Sequence, residues 1–219
     1  MNFNFEKARE LMVVNQLRPN KIDNPVILEL FSRIKKEDFL PEIIKKNSYN
    51  DLDAHIISNR GYLKNLHIAQ LIQSADISNQ DKILHIGGMT GYVSTILASL
   101  CKELIIIENE ENLIAEIEEN MKKMNINNAK IVDVPFKEGF NNESPYDIIF
   151  IDNPISVVSN TIKSQVSPKS GKIIMIKKLN SFLCKAYKII NEDNSYSNEY
   201  LFDVFSKYEL YKNEAKFIF

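Results

Sequence analysis

The chain of 219 residues has few cysteines, few glycines and no apolar run long enough to cross a bilayer. Its two cysteines, Cys101 and Cys184, lie far apart in apolar surroundings, which favours reduced core thiols over a disulfide or a metal site. The formal net charge of −2 gives no electrostatic case for binding nucleic acid or a membrane. The first ten residues, MNFNFEKARE, carry acidic residues and no signal-like apolar stretch. We therefore expect a cytoplasmic protein without a bound metal.

The length and the hydrophobic content of 44% are those of a globular protein with one large domain and an extension. We see no internal repeat and no low-complexity tract. We predict an N-terminal helical extension and loop over residues 1–64 and the main domain over residues 65–219, packed as one compact unit.

Helical patterns dominate the first part of the chain. A first helix is predicted over 5–17, with an apolar face formed by Phe5, Ala8, Leu11, Met12 and Leu17. A second helix is predicted after Asn24 as the cap, and its apolar stripe consists of Val26, Ile27, Leu30, Phe31 and Ile34. Residues 47–62 are polar and aperiodic, which predicts a long loop. A third helix is predicted from a capping Asn65 to Ala75.

From residue 82 onward, strands and helices alternate. The predicted strands are Lys82–Ile86, Leu104–Ile107, Ala129–Val132, Asp147–Ile151 and Lys172–Ile176. The predicted helices are Tyr92–Leu100, Glu111–Met124 and Ser156–Val166. Continuous runs rich in isoleucine and valine indicate parallel strands that are buried on both faces. The fold class is therefore predicted as α/β, Rossmann-like and doubly wound, with a mostly parallel sheet.

The end of the chain follows a different pattern. Leu183–Ile190 and Glu199–Val204 flank the turn-forming segment Asn191–Asn194, which predicts an antiparallel hairpin. Ala215–Phe219 is predicted as an additional edge strand.

The segment Lys82–Gly91, KILHIGGMTG, holds three of the six glycines at the point where a strand gives way to a helix. Gly87, Gly88 and Gly91 would let the backbone turn sharply and approach a ligand, and the helix that follows offers unpaired N–H groups. This arrangement favours a nucleotide-like ligand. The alternative is an ordinary tight turn between a strand and a helix.

Acidic residues follow the next two predicted strands. Glu108 closes the second strand, about twenty residues beyond the glycines, where a carboxylate can accept both hydroxyls of a ribose. Asp133 follows the third strand and is placed to reach the same pocket, where it would contact the nucleobase. Each of the two has the alternative of being a solvated loop charge.

Several motifs together resemble a known enzyme family. The glycine loop, Glu108, Asp133 and Tyr146-Asp147 occur in the order of an S-adenosylmethionine-dependent methyltransferase. More specifically, the chain resembles the protein-L-isoaspartate O-methyltransferase family over nearly its whole length. The motifs that carry this resemblance are Met12-Val13, Gln16–Pro19, Val26–Leu28, Glu37–Pro41, Leu84–Tyr92, Pro145–Ile149, Gln165-Val166, Pro168 and Gly171–Ile174.

The resemblance implies a seven-stranded sheet, S-adenosylmethionine as cofactor and methylation of the α-carboxyl group of damaged isoaspartyl residues. The expected partners are proteins or peptides that contain such residues. The cofactor-binding positions that it implies are His85, Gly87, Gly88, Met89, Gly91, Glu108 and Asp133.

The chain departs from the family pattern at three places. His85 stands where the family usually has an acidic residue, and Met89 replaces the second glycine of the motif. The family's Thr-x-Ser-Gln-Pro stretch corresponds to residues 61–65, so Leu63 stands in place of the serine and no catalytic residue is assigned. These changes predict weak cofactor binding and leave open a degenerate member that binds a cofactor or a partner without turnover. A methyltransferase for a different acceptor is also open, with Asp152 and Asn153 lining its pocket. His55 and His67 are interpreted as structural residues.

Overall fold

The structure is a computed structural model that describes residues 3–211. Its first two helices are α1 (Phe5–Met12), which Asn4 caps, and α2 (Pro25–Arg33), which Asn24 caps. Between them lie a π-helical turn (Val13–Leu17) and a 3₁₀ turn (Arg18–Asn20). No helix among the described residues is long and apolar enough to cross a membrane.

The prediction of one regular α-helix over 5–17 was wrong. The π turn shifts the phase of the helix, so Val13 joins the predicted Met12 and Leu17 on the buried face, while Leu11 is 44% exposed. Val26 is also exposed, whereas the other four residues of the second predicted stripe are buried.

The predicted loop over 47–62 contains a two-stranded antiparallel hairpin, formed by β1 (Ala54–Ile57) and β2 (Arg60–Tyr62). Two 3₁₀ turns, Lys36–Phe39 and Glu42–Asn47, precede it, and helix α3 (Asn65–Ala75) follows it. Asn65 is the first residue of α3 and not its cap, because its side chain is bonded to the Lys36 ammonium group and the Ser48 carbonyl.

Seven strands form the main sheet in the order β5-β4-β3-β6-β7-β8-β9, which confirms the predicted fold class. They are β3 (Lys82–Ile86), β4 (Glu103–Ile107), β5 (Ala129–Val132), β6 (Ile148–Ile155), β7 (Lys169–Lys178), β8 (Leu183–Glu192) and β9 (Ser195–Phe205). Strands β3 to β7 pair in parallel, and the predicted C-terminal hairpin adds β8 and β9 in antiparallel order. The predicted strand Ala215–Phe219 lies outside the described residues.

The two faces of the sheet are covered differently. Helices α3, α4 (Tyr92–Ala98) and α5 (Glu111–Lys123) pack on one face. The other face is covered by loops, short 3₁₀ turns and the four-residue helix α6 (Asn160–Lys163). The predicted helix 156–166 was wrong because β6 continues to Ile155 and Ser159 caps α6, which leaves few residues for helix.

One apolar cluster joins the N-terminal part to the sheet. Met12, Leu17 and Phe31 belong to the same buried cluster as Ile83 and Phe150. Both cysteines are free and buried. The division of the chain at residue 64 stays a prediction.

Candidate functional site

The glycine loop leaves β3 in a sequence of left-handed backbone turns. Gly87 and Gly91 have φ values of 94° and 91°, and Met89 between them has a φ of 50°. A non-glycine residue in this region costs roughly 1–2 kcal/mol. Met89 therefore keeps the backbone path expected of a glycine and introduces strain.

Glu108 lies directly beside this loop. Strands β3 and β4 pair in parallel, and the N–H groups of Gly87 and Gly88 both donate to the Ile107 carbonyl. The Met89 N–H donates to the Glu108 Oε2 at 2.8 Å. The structure confirms the prediction that Glu108 and the glycine loop meet at the carboxyl ends of adjacent strands. Asp133 follows β5 at the same edge and is exposed.

The carboxylate of Glu108 is fully buried and already has several donors. Arg60 reaches it with two hydrogen bonds, Nη1 to Oε1 at 2.9 Å and Nη2 to Oε2 at 2.5 Å. The backbone N–H groups of Asn109 and Glu110 donate to Oε1 as well. The Arg60 guanidinium also lies 4.8 Å from the centre of the Phe136 ring. Together with the Met89 N–H, these contacts use the acceptor positions that a ribose would need.

The start of helix α4 is occupied in a similar way. The Tyr62 hydroxyl accepts hydrogen bonds from the Thr90 N–H at 3.2 Å and the Tyr92 N–H at 3.0 Å. Burial raises the pKa of Tyr62, which keeps the hydroxyl neutral. The N–H groups at the start of α4, which we expected to bind a ligand, therefore donate to the Tyr62 hydroxyl instead.

Leu210 covers the open side of the glycine loop. A Cβ atom built on Gly87 would lie 2.7 Å from the Leu210 Cδ1 and 3.6 Å from the Arg60 Nη2. Leu210 is buried in this position. The backbone frame thus suits a nucleoside, but the space in front of it is filled by the chain's own side chains in this conformation.

Sequence reasoning missed Arg60, Phe136 and Leu210. The one signal for Arg60 is that no other charged residue lies in the segment 56–63. This signal is weak, because most arginines in such segments are exposed to solvent.

His85 points into the protein interior. Its ring nitrogens contact the Ser94 hydroxyl at 2.8 Å and an Asp152 carboxylate oxygen at 3.2 Å, and all three residues are buried. Serine, histidine and aspartate in this order resemble a hydrolytic triad, but burial denies a substrate access to the serine.

Asn153 is buried beside Met89, with its Nδ2 3.9 Å from the methionine sulfur. The Asn153 Oδ1 has no hydrogen-bond partner within residues 3–211. Asp152 and Asn153 therefore do not line an open acceptor pocket in this conformation.

Leu63, at the family's serine position, is buried next to a lysine. Its carbonyl accepts a hydrogen bond from the Lys36 Nζ at 3.3 Å, and the Asn65 Oδ1 accepts another at 3.0 Å. Burial lowers the pKa of Lys36 to about 7.

The remaining two histidines make aromatic contacts. His55 stacks on Tyr208 with ring centres 6.2 Å apart, and His67 stacks on Phe202 with ring centres 5.5 Å apart. Burial lowers the pKa of His67 to about 4, so its ring is neutral at physiological pH. Within the described residues no cluster of three or more histidine, cysteine and acidic side chains could hold a metal ion.

Comparison with known proteins settles the family. The sequence model of Protein-L-isoaspartate(D-aspartate) O-methyltransferase (PCMT) matches residues 7–201. The chain belongs to this family.

Individual relatives agree with this result. Protein-L-isoaspartate O-methyltransferase 1 of Syntrophobacter fumaroxidans is 25% identical over 172 residues, which are 78% of this chain and 80% of the relative. A solved protein-L-isoaspartate O-methyltransferase matches with a TM-score of 0.78 at 20% identity, over 91% of this chain and 65% of that one. A putative member from Plasmodium falciparum, solved with S-adenosyl-L-homocysteine, matches with a TM-score of 0.75 at 18% identity, over 97% of this chain and all of that one. The present chain therefore has the same fold as these two solved structures.

Proposed function

We propose that the chain is an S-adenosylmethionine-dependent methyltransferase that acts on the carboxyl group of isoaspartyl residues in proteins. The observation that carries this proposal is the meeting of the glycine loop and Glu108 at the carboxyl ends of β3 and β4. In doubly wound sheets, nucleotide ligands bind at the carboxyl ends of the strands. Membership of the isoaspartyl methyltransferase family supplies the acceptor.

The cofactor would be held chiefly by backbone and carboxylate groups. Gly87 and Gly91 would allow the chain to approach it closely, Glu108 would accept the ribose hydroxyls, and Asp133 would lie at the far side of the same edge. His85 and Gly88 would support the loop from the interior of the protein. When bound, S-adenosylmethionine supplies a methyl group on a positively charged sulfur.

The acceptor chemistry asks little of the protein. An isoaspartyl carboxyl group is already ionised at neutral pH, so it needs no general base. Orientation of the attacking oxygen can supply most of the rate enhancement. The presence of Leu63 at the serine position is therefore compatible with activity.

Membership of the family supports a protein or peptide as partner, and the net charge of −2 gives no support for nucleic acid. The low cysteine content, with both thiols free, supports a cytoplasmic location.

A second candidate is a family member that binds a partner without turnover. The buried contact between Arg60 and Glu108 favours this candidate, because it occupies the ribose position in the structure.

A methylation assay distinguishes the two candidates. The full chain is incubated with labelled S-adenosylmethionine and either an isoaspartyl peptide or the matched aspartyl peptide. A base-labile methyl ester on the isoaspartyl peptide alone is the expected result. Absence of ester from both peptides, with a folded protein, would contradict the methyltransferase proposal and favour the binding protein.

A further inference from the structure

Two side chains from distant parts of the sequence fill the space in front of the glycine loop. Arg60 comes from strand β2 of the hairpin, and Leu210 comes from the segment after β9. We call these two residues the internal plug. Both are buried, at 5% exposure each.

Arg60 satisfies the carboxylate that would otherwise face a ribose. Its two nitrogens bind the two oxygens of Glu108, and the three neighbouring backbone N–H groups complete the set of donors. A carboxylate has about four lone-pair positions. A ribose hydroxyl can therefore bind Glu108 only after the Arg60 guanidinium has left.

Leu210 closes the site from the other side. Its methyl group lies where even a single added carbon on Gly87 would collide with it. A nucleoside that approaches the backbone of the loop would occupy this same volume, so it must displace Leu210 too.

The parts of the chain that carry the plug are bonded to each other and to the sheet. The Glu209 N–H donates to the Asn59 carbonyl, and the Leu210 N–H donates to the Pro154 carbonyl, both at 2.9 Å. The Lys178 ammonium group binds the Glu209 carboxylate at 2.9 Å. The hairpin and the segment after β9 therefore hold Arg60 and Leu210 in place together.

We propose that the internal plug blocks the cofactor site and that S-adenosylmethionine binds only when Arg60 releases Glu108 and Leu210 leaves the glycine loop. This inference rests on the proposed function and makes Arg60 and Leu210 determinants of cofactor affinity. Separating a buried ion pair is costly, so the plug is expected to weaken cofactor binding by about two powers of ten.

Calorimetric titration with S-adenosylhomocysteine tests the proposal. The wild type is compared with Arg60→Ala, Leu210→Ala and the double variant. We expect the double variant to bind about a hundredfold more tightly than the wild type. For Leu210→Ala alone we expect about a tenfold gain, since the ligand no longer has to expose a buried leucine.

Two controls separate an opened site from a loosened protein. Arg9→Ala breaks the other buried arginine–glutamate pair, with Glu37, and is expected to leave ligand binding unchanged. Glu108→Gln in the double variant removes the charge that the ribose hydroxyls would bind, and it is expected to cancel the gain.

The outcomes have distinct meanings. If the wild type binds, whether tightly or weakly, and the folded plug variants show no gain, the plug is overturned and the proposed function stays intact. No binding by any folded variant would overturn both the plug and the methyl donor. If Arg60→Ala does not fold, as thermal melts would reveal, Leu210→Ala decides: a gain supports the plug, and an unchanged dissociation constant overturns it.

Discussion

Two buried arginine–glutamate pairs in this protein use the same chemistry in different surroundings. Arg9 contacts Glu37 through one nitrogen at 3.0 Å, within the N-terminal part of the chain. Arg60 contacts Glu108 through two nitrogens, across 48 residues of sequence. Both pairs are at most 9% exposed on either side chain.

The partners of the two carboxylates differ. Glu37 is shared between side chains, since the Tyr49 hydroxyl also donates to it. Glu108 accepts three backbone N–H groups of the glycine loop and of its own strand end as well. The first pair joins helical segments. The second lies at the carboxyl ends of the parallel strands, where ligands bind in such sheets. The Arg9–Glu37 pair thus stabilises the packing of the N-terminal part, whereas the Arg60–Glu108 pair excludes a ligand.

The largest effect is expected for Glu108→Ala. Removal of the carboxylate leaves the Arg60 guanidinium and three backbone N–H groups without their acceptor. We expect a loss of at least about 4 kcal/mol of unfolding free energy. Urea unfolding followed by circular dichroism measures it. A loss below that of Glu37→Ala would show that the Glu108 contacts are weaker than their number suggests.

Glu37→Ala is expected to lower the free energy of unfolding by less, about 3 kcal/mol. It leaves one guanidinium and one hydroxyl without an acceptor, but no backbone group. The same urea experiment measures it. Tyr49→Phe serves as control, since it removes only the hydroxyl and should cost about 1.5–3 kcal/mol. Equal losses for Glu37→Ala and Glu108→Ala would remove the distinction between the two pairs.

Lys36 extends the comparison to a buried cation without a carboxylate in hydrogen-bond contact. Its pKa is lowered to about 7 in the folded protein by burial, so between pH 7 and its ordinary pKa the unfolded chain binds more protons. The stability of the wild type should therefore rise with pH across this window, by up to about 1.4 kcal/mol per pH unit.

Lys36→Met should remove most of this rise. At pH 7 the variant should be more stable by about 1–2 kcal/mol, because the desolvation cost disappears and two lost hydrogen bonds offset part of the gain. Unfolding at several pH values tests the prediction. An unchanged slope in the variant would assign the rise to other groups.

Met89→Gly is expected to have the smallest net effect. Relief of about 1–2 kcal/mol of left-handed strain offsets most of the packing lost with a buried methionine, for a net loss of about 1 kcal/mol. Ligand binding should be unchanged, because the free protein already carries the strained turn at residue 89 and its relief favours the free and the bound protein equally. Melting and S-adenosylhomocysteine titration measure the two quantities. Met89→Ala is the control, because it removes the side chain and retains the strain.

The strands of the main sheet could be predicted from the sequence, but the side chains that occupy the space in front of the glycine loop could not. Strands β3 and β5 have the predicted bounds because each is a short, mainly apolar run between polar or turn-forming residues, Asp81 and Gly87 for β3 and Asn128 and Asp133 for β5. The left-handed turn at residue 89 lies where the family motif has its second glycine. These features depend on neighbours in sequence.

The contact between Arg60 and Glu108 depends on tertiary structure instead. The hairpin β1–β2 lacks the alternation that would identify it, and its second strand has only three residues. Leu210 reaches Gly87 only because the segment after β9 returns across the sheet. Distances of this kind cannot be read from periodicity, which reports on one element at a time.

The two edges of the main sheet also differ, with a consequence for association between molecules. Strand β5 has four residues and extends about 13 Å, whereas β9 has eleven and extends about 36 Å. Within residues 3–211, β9 pairs only with β8, so no strand of this part of the chain covers its outer side. A long open edge invites aggregation unless polar side chains oppose it. Here Asn198, Glu199 and Asp203 are exposed along β9, so resistance to aggregation at this edge depends on their polarity and charge.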